Sequence, residues 1–154
     1  MYVSMAPVPN THTDHCLQCY LQAKFKAGKM KEAIQAYTAA ASFASQRLPW
    51  EPNNLMREEL STMLSNRSAA YLAEKDVISA LADAEVVTQI KKPWGKGHYR
   101  KARAFLLMGR FEEAREAVQL GLSLEPANTV CTLEFVRIVF SNFVLACNRN
   151  SAIF

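Results

Sequence analysis

The sequence predicts an all-α chain: an α-solenoid of three helix pairs closed by a C-terminal capping helix. Apolar residues recur at helical spacing from Asp14 almost to Cys147. Strand signals are missing, with no Asn-Gly or Asp-Gly hairpin turn and no sustained alternation of β-branched residues. A short pattern also returns along the chain. Ala27–Tyr37 (AGKMKEAIQAY) aligns with Met108–Val118 (MGRFEEAREAV), so that Gly28 meets Gly109, Met30 meets Phe111 and Ala33 meets Ala114. A middle copy, Glu74–Ala84 (EKDVISALADA), places Ala80 34 residues before Ala114. The outer copies lie 81 positions apart, which is two periods of 34 plus 13. The surplus is assigned to an insertion at 42–54 (SFASQRLPWEPNN), a helix extension running into a Pro-rich loop.

Taken in order, residues 1–13 (MYVSMAPVPNTHT) lack periodicity and are expected to form a flexible lead-in. Helix pairs are predicted at about 14–27 with 30–48, 55–73 with 76–90, and 94–108 with 111–124. They break at Gly28-Lys29, Lys75-Asp76 and Gly109-Arg110. Ala33, Ala80 and Ala114 supply the small side chain that lets helices cross closely, with Ser68 and Ala102 serving the partner helices. Tyr37, Tyr71, Phe105 and Phe111 are the large residues that fill the grooves. A seventh helix at about 127–147, with Leu133, Val136, Phe140, Phe143, Val144 and Cys147 on one stripe, is expected to cap the array. This makes 14–147 one domain and 148–154 a tail.

Composition bounds the function. Half of the 154 residues are apolar and 21% are charged, which suits a folded domain and excludes a disordered chain. Eighteen Lys and Arg against 14 Asp and Glu leave a net charge of +4, a weak bias toward acidic partners. No secretory signal is expected, so the four cysteines are taken as reduced. The greasiest stretch, Leu133–Cys147, contains Glu134, Arg137 and Asn142 and is shorter than the ~20 apolar residues of a membrane span, so no direct membrane insertion is predicted. His12, His15, Cys16 and Cys19 form HxxHCxxC, but no second ligand pair is nearby, and no metal is expected. There is no Gly-rich phosphate loop, and His98 has no nucleophile or carboxylate partner in sequence. The chain is therefore read as non-enzymatic, with no catalytic residue and no cofactor.

Binding residues are easier to nominate. Lys96, Arg100 and Arg103 fall at i, i+4 and i+7 on the first helix of the third pair. Asn66 holds the same register one repeat earlier, 34 residues before Arg100, and so faces the same groove. An amide and several cations converging there suit a carboxylate, which arginine grips bidentately; an ordinary solvated face is the alternative. The basic stripe of Lys91, Lys92, Lys96, Arg100, Lys101 and Arg103 lacks interleaved stacking aromatics, which argues against nucleic acid.

The 34-residue period resembles the tetratricopeptide (TPR) repeat. MLSNRSAAYLAEKD (Met63–Asp76) and WGKGHYRKARAFLLMGRFEEA (Trp94–Ala114) resemble the TPR domains of co-chaperones that carry a dicarboxylate clamp. That resemblance implies binding of the C-terminal tail, ending Glu-Glu-Val-Asp, of a cytosolic heat shock chaperone. Asn66, Lys96 and Arg100 match three clamp positions, whereas the family's first-helix lysine and asparagine fall on Gln18 and Gln22. Exchanging a charged donor for an amide implies binding weaker by about tenfold. Arg103, Tyr99 and Lys26 are the candidates for a secondary groove contact.

A narrower likeness concerns ASQRLPWE (Ala44–Glu51), the displaced second repeat after it, and GRFEEAREAVQLGLSLEP (Gly109–Pro126). These are similar to the TPR-bearing peripheral subunit of the fungal post-translational Sec translocon. The resemblance implies a protein on the cytosolic face of the endoplasmic reticulum, held by a membrane-anchored translocon subunit. It would receive precursors carried by a heat shock protein 70 class chaperone, and this chain would be a fragment of a longer protein. The alternative is another TPR co-chaperone or scaffold whose groove or capping helix binds a different protein.

Overall fold

A computed structural model describes residues 11–46 and 53–127, with positions 129 and 133 beyond them. Among the described residues there are six helices and no strand: α1 (Thr11–Lys26), α2 (Met30–Ser45), α3 (Asn53–Ala73), α4 (Val77–Ile90), α5 (Gly95–Leu107) and α6 (Phe111–Leu124). The helix pairing follows the predicted one. α1 and α3 start earlier than expected, at Thr11 and Asn53. The middle of the predicted insertion, the tail and almost all of the predicted capping helix lie outside the described residues; Leu133 of its stripe is 71% exposed.

The three turns inside the pairs are built alike. Gly28 (φ +76°), Lys75 (φ +65°) and Gly109 (φ +74°) adopt the left-handed conformation. The amides that follow them, of Lys29, Asp76 and Arg110, reach back to the carbonyls of Lys24, Tyr71 and Phe105. This is the Schellman closure, which satisfies helix-end carbonyls and reverses the chain. Two turns use glycine, which enters this region without steric cost, whereas Lys75 carries a Cβ there.

The repeat's small residues sit where helices touch. Ala33, Ala80, Ala102, Ala114 and Ser68 are all wholly buried, and the Ser68 hydroxyl donates to the Ala80 carbonyl at 2.8 Å. Gly97 marks the tightest approach: a Cβ there would lie 2.9 Å from Val87 Cγ1 and 3.3 Å from Thr88 Cγ2. α5 thus presses onto α4 at the turn of helix between Lys96 and Arg100. Each helix packs on the next, and α3 also touches α5 directly, so the first helices of successive pairs form one wall.

Three polar ties hold the stack. Arg67 of α3 donates two hydrogen bonds, of 2.7 and 2.6 Å, to the Asp83 carboxylate of α4 and a third to the Thr38 hydroxyl of α2. Arg57 donates to the Ile90 carbonyl at the end of α4. At the start of α5 the N-cap residue Trp94 offers no side-chain bond, and the Glu125 carboxylate from the end of α6 accepts from the Gly95 amide at 2.8 Å.

Candidate carboxylate-binding cleft

A cleft of about 170 Å3 opens where α1, α2, α3 and α5 meet. Its walls are Gln22, Phe25 and Lys26 from α1, Tyr37 from α2, Asn66 and Ala69 from α3, and Arg100 from α5. Four residues nominated from sequence therefore come together: Gln22, Lys26, Asn66 and Arg100. Lys96, Tyr99 and Arg103 are not among the lining residues. Gln18 lies in α1 one turn before Gln22, with its side chain outside the described set.

Arg100 is the unusual member. Its Nε is buried and has no hydrogen-bond partner. Burial pushes the guanidinium below its ordinary value, opposed by the Tyr99 phenol; the positive charge of Arg103 lowers it further, and the Tyr37 phenol opposes that. Nothing acidic among the described residues neutralises it. A half-buried cation whose Nε is shut off from water and from any acid carries a desolvation cost, which a partner would relieve. Here the open side of the cation faces a cleft.

Tyr37 is 1% exposed and belongs to the first core cluster with Leu21, Ala33, Met63 and Val87. Burial raises its pKa, with the Arg100 charge pulling the other way, so the phenol stays protonated at neutral pH. The repeat pattern gives Tyr37 a filling role alone; in the structure it also lines the cleft. The available signal was a tyrosine, not a phenylalanine, at a fully buried aromatic position.

Two nominated cations of α5 lie beside rings. The Arg100 guanidinium lies 5.3 Å from the Tyr99 ring centroid, and the Lys96 ammonium lies 5.8 Å from that of Trp94. Tyr99 packs against the second core cluster and accepts a hydrogen bond from Arg103 at 3.2 Å, so it supports the cleft from behind. Several cations elsewhere pair with carboxylates: Arg67 with Asp83, Lys91 with Glu58, Lys101 with Glu85, and Arg110 with Glu113.

A larger hollow, about 550 Å3, lies between α4, α5 and α6 over Phe105, Ala117, Leu120 and Leu124. Its His98 is buried and bonded to the Lys92 carbonyl, and its Lys101 is already paired with Glu85. No buried, unpartnered donor among the described residues faces it.

A family model described as the PAB middle domain matches residues 61–141, more than half of the sequence. The chain belongs to that family. Its architecture is that of a TPR domain: the Sgt2 TPR domain of Aspergillus fumigatus superposes with a TM-score of 0.71 at 26% identity, covering 97% of this chain and 88% of that one. The first TPR of Spaghetti (RPAP3), solved bound to the HSP90 peptide SRMEEVD, superposes with a TM-score of 0.66 at 24% identity over 86% of this chain and 94% of that one. In sequence, the ER protein translocation subcomplex subunit sec67 of Schizosaccharomyces pombe is 46% identical over 100 residues, 65% of this chain and 52% of that protein. The TPR domain thus spans about half the length of that relative. No helix of the described residues is long and apolar enough to cross a membrane.

Proposed function

We propose that this TPR domain is an adaptor that captures the acidic C-terminal tail of a heat shock chaperone by its free carboxylate. The observation that carries the reading is the half-buried Arg100, whose buried Nε has no partner, opening onto the same cleft as Asn66. A carboxylate entering there meets a guanidinium edge able to donate two parallel bonds, and relieves the cost of burying that charge. Asn66 donates its amide to the same carboxylate, Gln22 and Gln18 form the first-helix wall, and Lys26 adds charge at the rim. Lys96, one turn before Arg100 on α5, takes the second carboxylate of a terminal aspartate. The TPR of RPAP3, which shares the fold, is bound to a peptide ending in the same Glu-Glu-Val-Asp.

The likeness to a fungal translocation subunit supports a narrower version. There the tail belongs to a heat shock protein 70 class chaperone, and its capture brings chaperone-bound precursors to the endoplasmic reticulum translocon through a membrane-anchored subunit.

Titration with a short peptide ending Glu-Glu-Val-Asp, with the C-terminus free or amidated and at low and raised salt, tests the site. The expected result is micromolar binding of the free form alone, weakened by salt. Equal binding of both forms, or none at millimolar peptide, rejects it.

A further inference from the structure

The two α5 cations assigned to carboxylates each lie beside an aromatic ring and pair with no acid among the described residues, whereas other cations beside rings, such as Arg67, Lys91 and Lys101, also hold a carboxylate. For Arg100 the arrangement follows from burial. Lys96 is exposed, and an exposed lysine ordinarily samples many rotamers. Its ammonium stands 5.8 Å from the Trp94 ring centroid, within reach of a cation–π contact. Trp94 is itself anchored, half-buried against the first core cluster. Lys91 also approaches this ring, at 4.8 Å, but its charge is taken up by Glu58. The indole is thereby left as the support of one unneutralised ammonium.

We propose that Trp94 is a positioning residue of the site, holding Lys96 ordered at the rim while leaving its charge available to the ligand. An acid in the same place would order the lysine equally well, but the incoming carboxylate would have to displace it. A ring attracts the ammonium through its quadrupole and takes none of its hydrogen-bond donors. Part of the entropy cost of fixing the lysine is thus met before the ligand arrives. The inference rests on the chaperone-tail reading above and adds the residue through which Lys96 acts.

A double-mutant cycle on the full chain tests it, with the free Glu-Glu-Val-Asp peptide as probe. The wild type, Trp94→Leu, Lys96→Met and the double variant are titrated, with thermal melts of each, and Trp94→Phe is added as the variant that keeps a weaker ring. Trp94→Leu is expected to weaken binding about three- to fivefold when Lys96 is present and to have no effect in the Lys96→Met background. Trp94→Phe is expected to fall between wild type and Trp94→Leu. In the free protein, NMR should find the Lys96 ε-methylene protons shifted upfield by the indole, with the shift lost in Trp94→Leu. If the wild type binds but Trp94→Leu costs the same in both backgrounds, the residue acts on packing alone and the inference is overturned while the site stands. If the wild type does not bind, both fall together.

Discussion

Arg67 and Arg100 are both drawn inside the helical stack, and they differ in what meets them. Arg67 is gripped by the Asp83 carboxylate and the Thr38 hydroxyl, so its charge is spent on joining three helices. Arg100, which like Arg67 lies beside a tyrosine ring, has an unpartnered Nε and a cleft in front of it. The contrast follows the repeat. One register holds Asn66 and Arg100 on the cleft; the next residue along each helix, Arg67 and Lys101, pairs with the α4 acids Asp83 and Glu85. A rotation of one residue along the helix separates the cations that pair with acids from the one that lines the cleft. Burial therefore does not distinguish the two arginines; the missing counter-charge does.

The comparison can be broken most strongly from the paired side. Asp83→Ala leaves the Arg67 guanidinium partly buried without its acid, and is expected to cost about 3 kcal/mol in urea unfolding. Arg100→Met should do the reverse. Burial lowers this guanidinium's pKa, so the folded state holds its proton less tightly than the unfolded chain does. The charged form accordingly opposes folding at neutral pH. Removing it should raise the free protein's stability by about 1 kcal/mol in the same unfolding experiment while weakening the free-carboxylate peptide by about thirtyfold or more in calorimetry. A variant that lost both stability and binding would place Arg100 with Arg67 as a structural cation.

Gly97→Ala sharpens the geometry shared by both registers. The new methyl meets fully buried Val87 at 2.9 Å, so α5 must move off α4. A loss of about 1–2 kcal/mol by thermal melt is expected, accompanied by weaker peptide binding because Lys96 and Arg100 flank the shift. The smallest change is Lys75→Gly. It relieves a side chain in the left-handed region and is expected to add about 0.5–1 kcal/mol without altering peptide affinity, a baseline that separates stability from binding.

Much of this fold is legible in the sequence because a repeat states the same packing problem several times. Ala33, Ala80 and Ala114 recur where space is scarcest, and the Gly28 and Gly109 breaks fall at helix ends that need a left-handed residue. The cleft is legible only in part. Register alone puts Asn66 and Arg100 on one side of the array, but whether a cation meets an acid depends on how far each helix is rotated about its axis. Asp83 lies 16 residues from Arg67 and Glu85 16 from Lys101, a spacing that carries no local pattern. Trp94 escapes notice, and Tyr99 is read as a groove contact and not as a support, for a related reason: aromatic residues beside lysine and arginine are common, and only the folded distances separate a support from a neighbour.

The Glu125 carboxylate on the Gly95 amide gives the third repeat a clasp that joins the end of its second helix to the start of its first. That amide proton consequently serves as a clock. Its exchange with deuterium reports how often the repeat springs open, and it sits one residue from Lys96. A tail peptide that braces α5 from the cleft should slow this proton by the factor its own affinity dictates, so that ligand occupancy becomes readable at a site the ligand never touches.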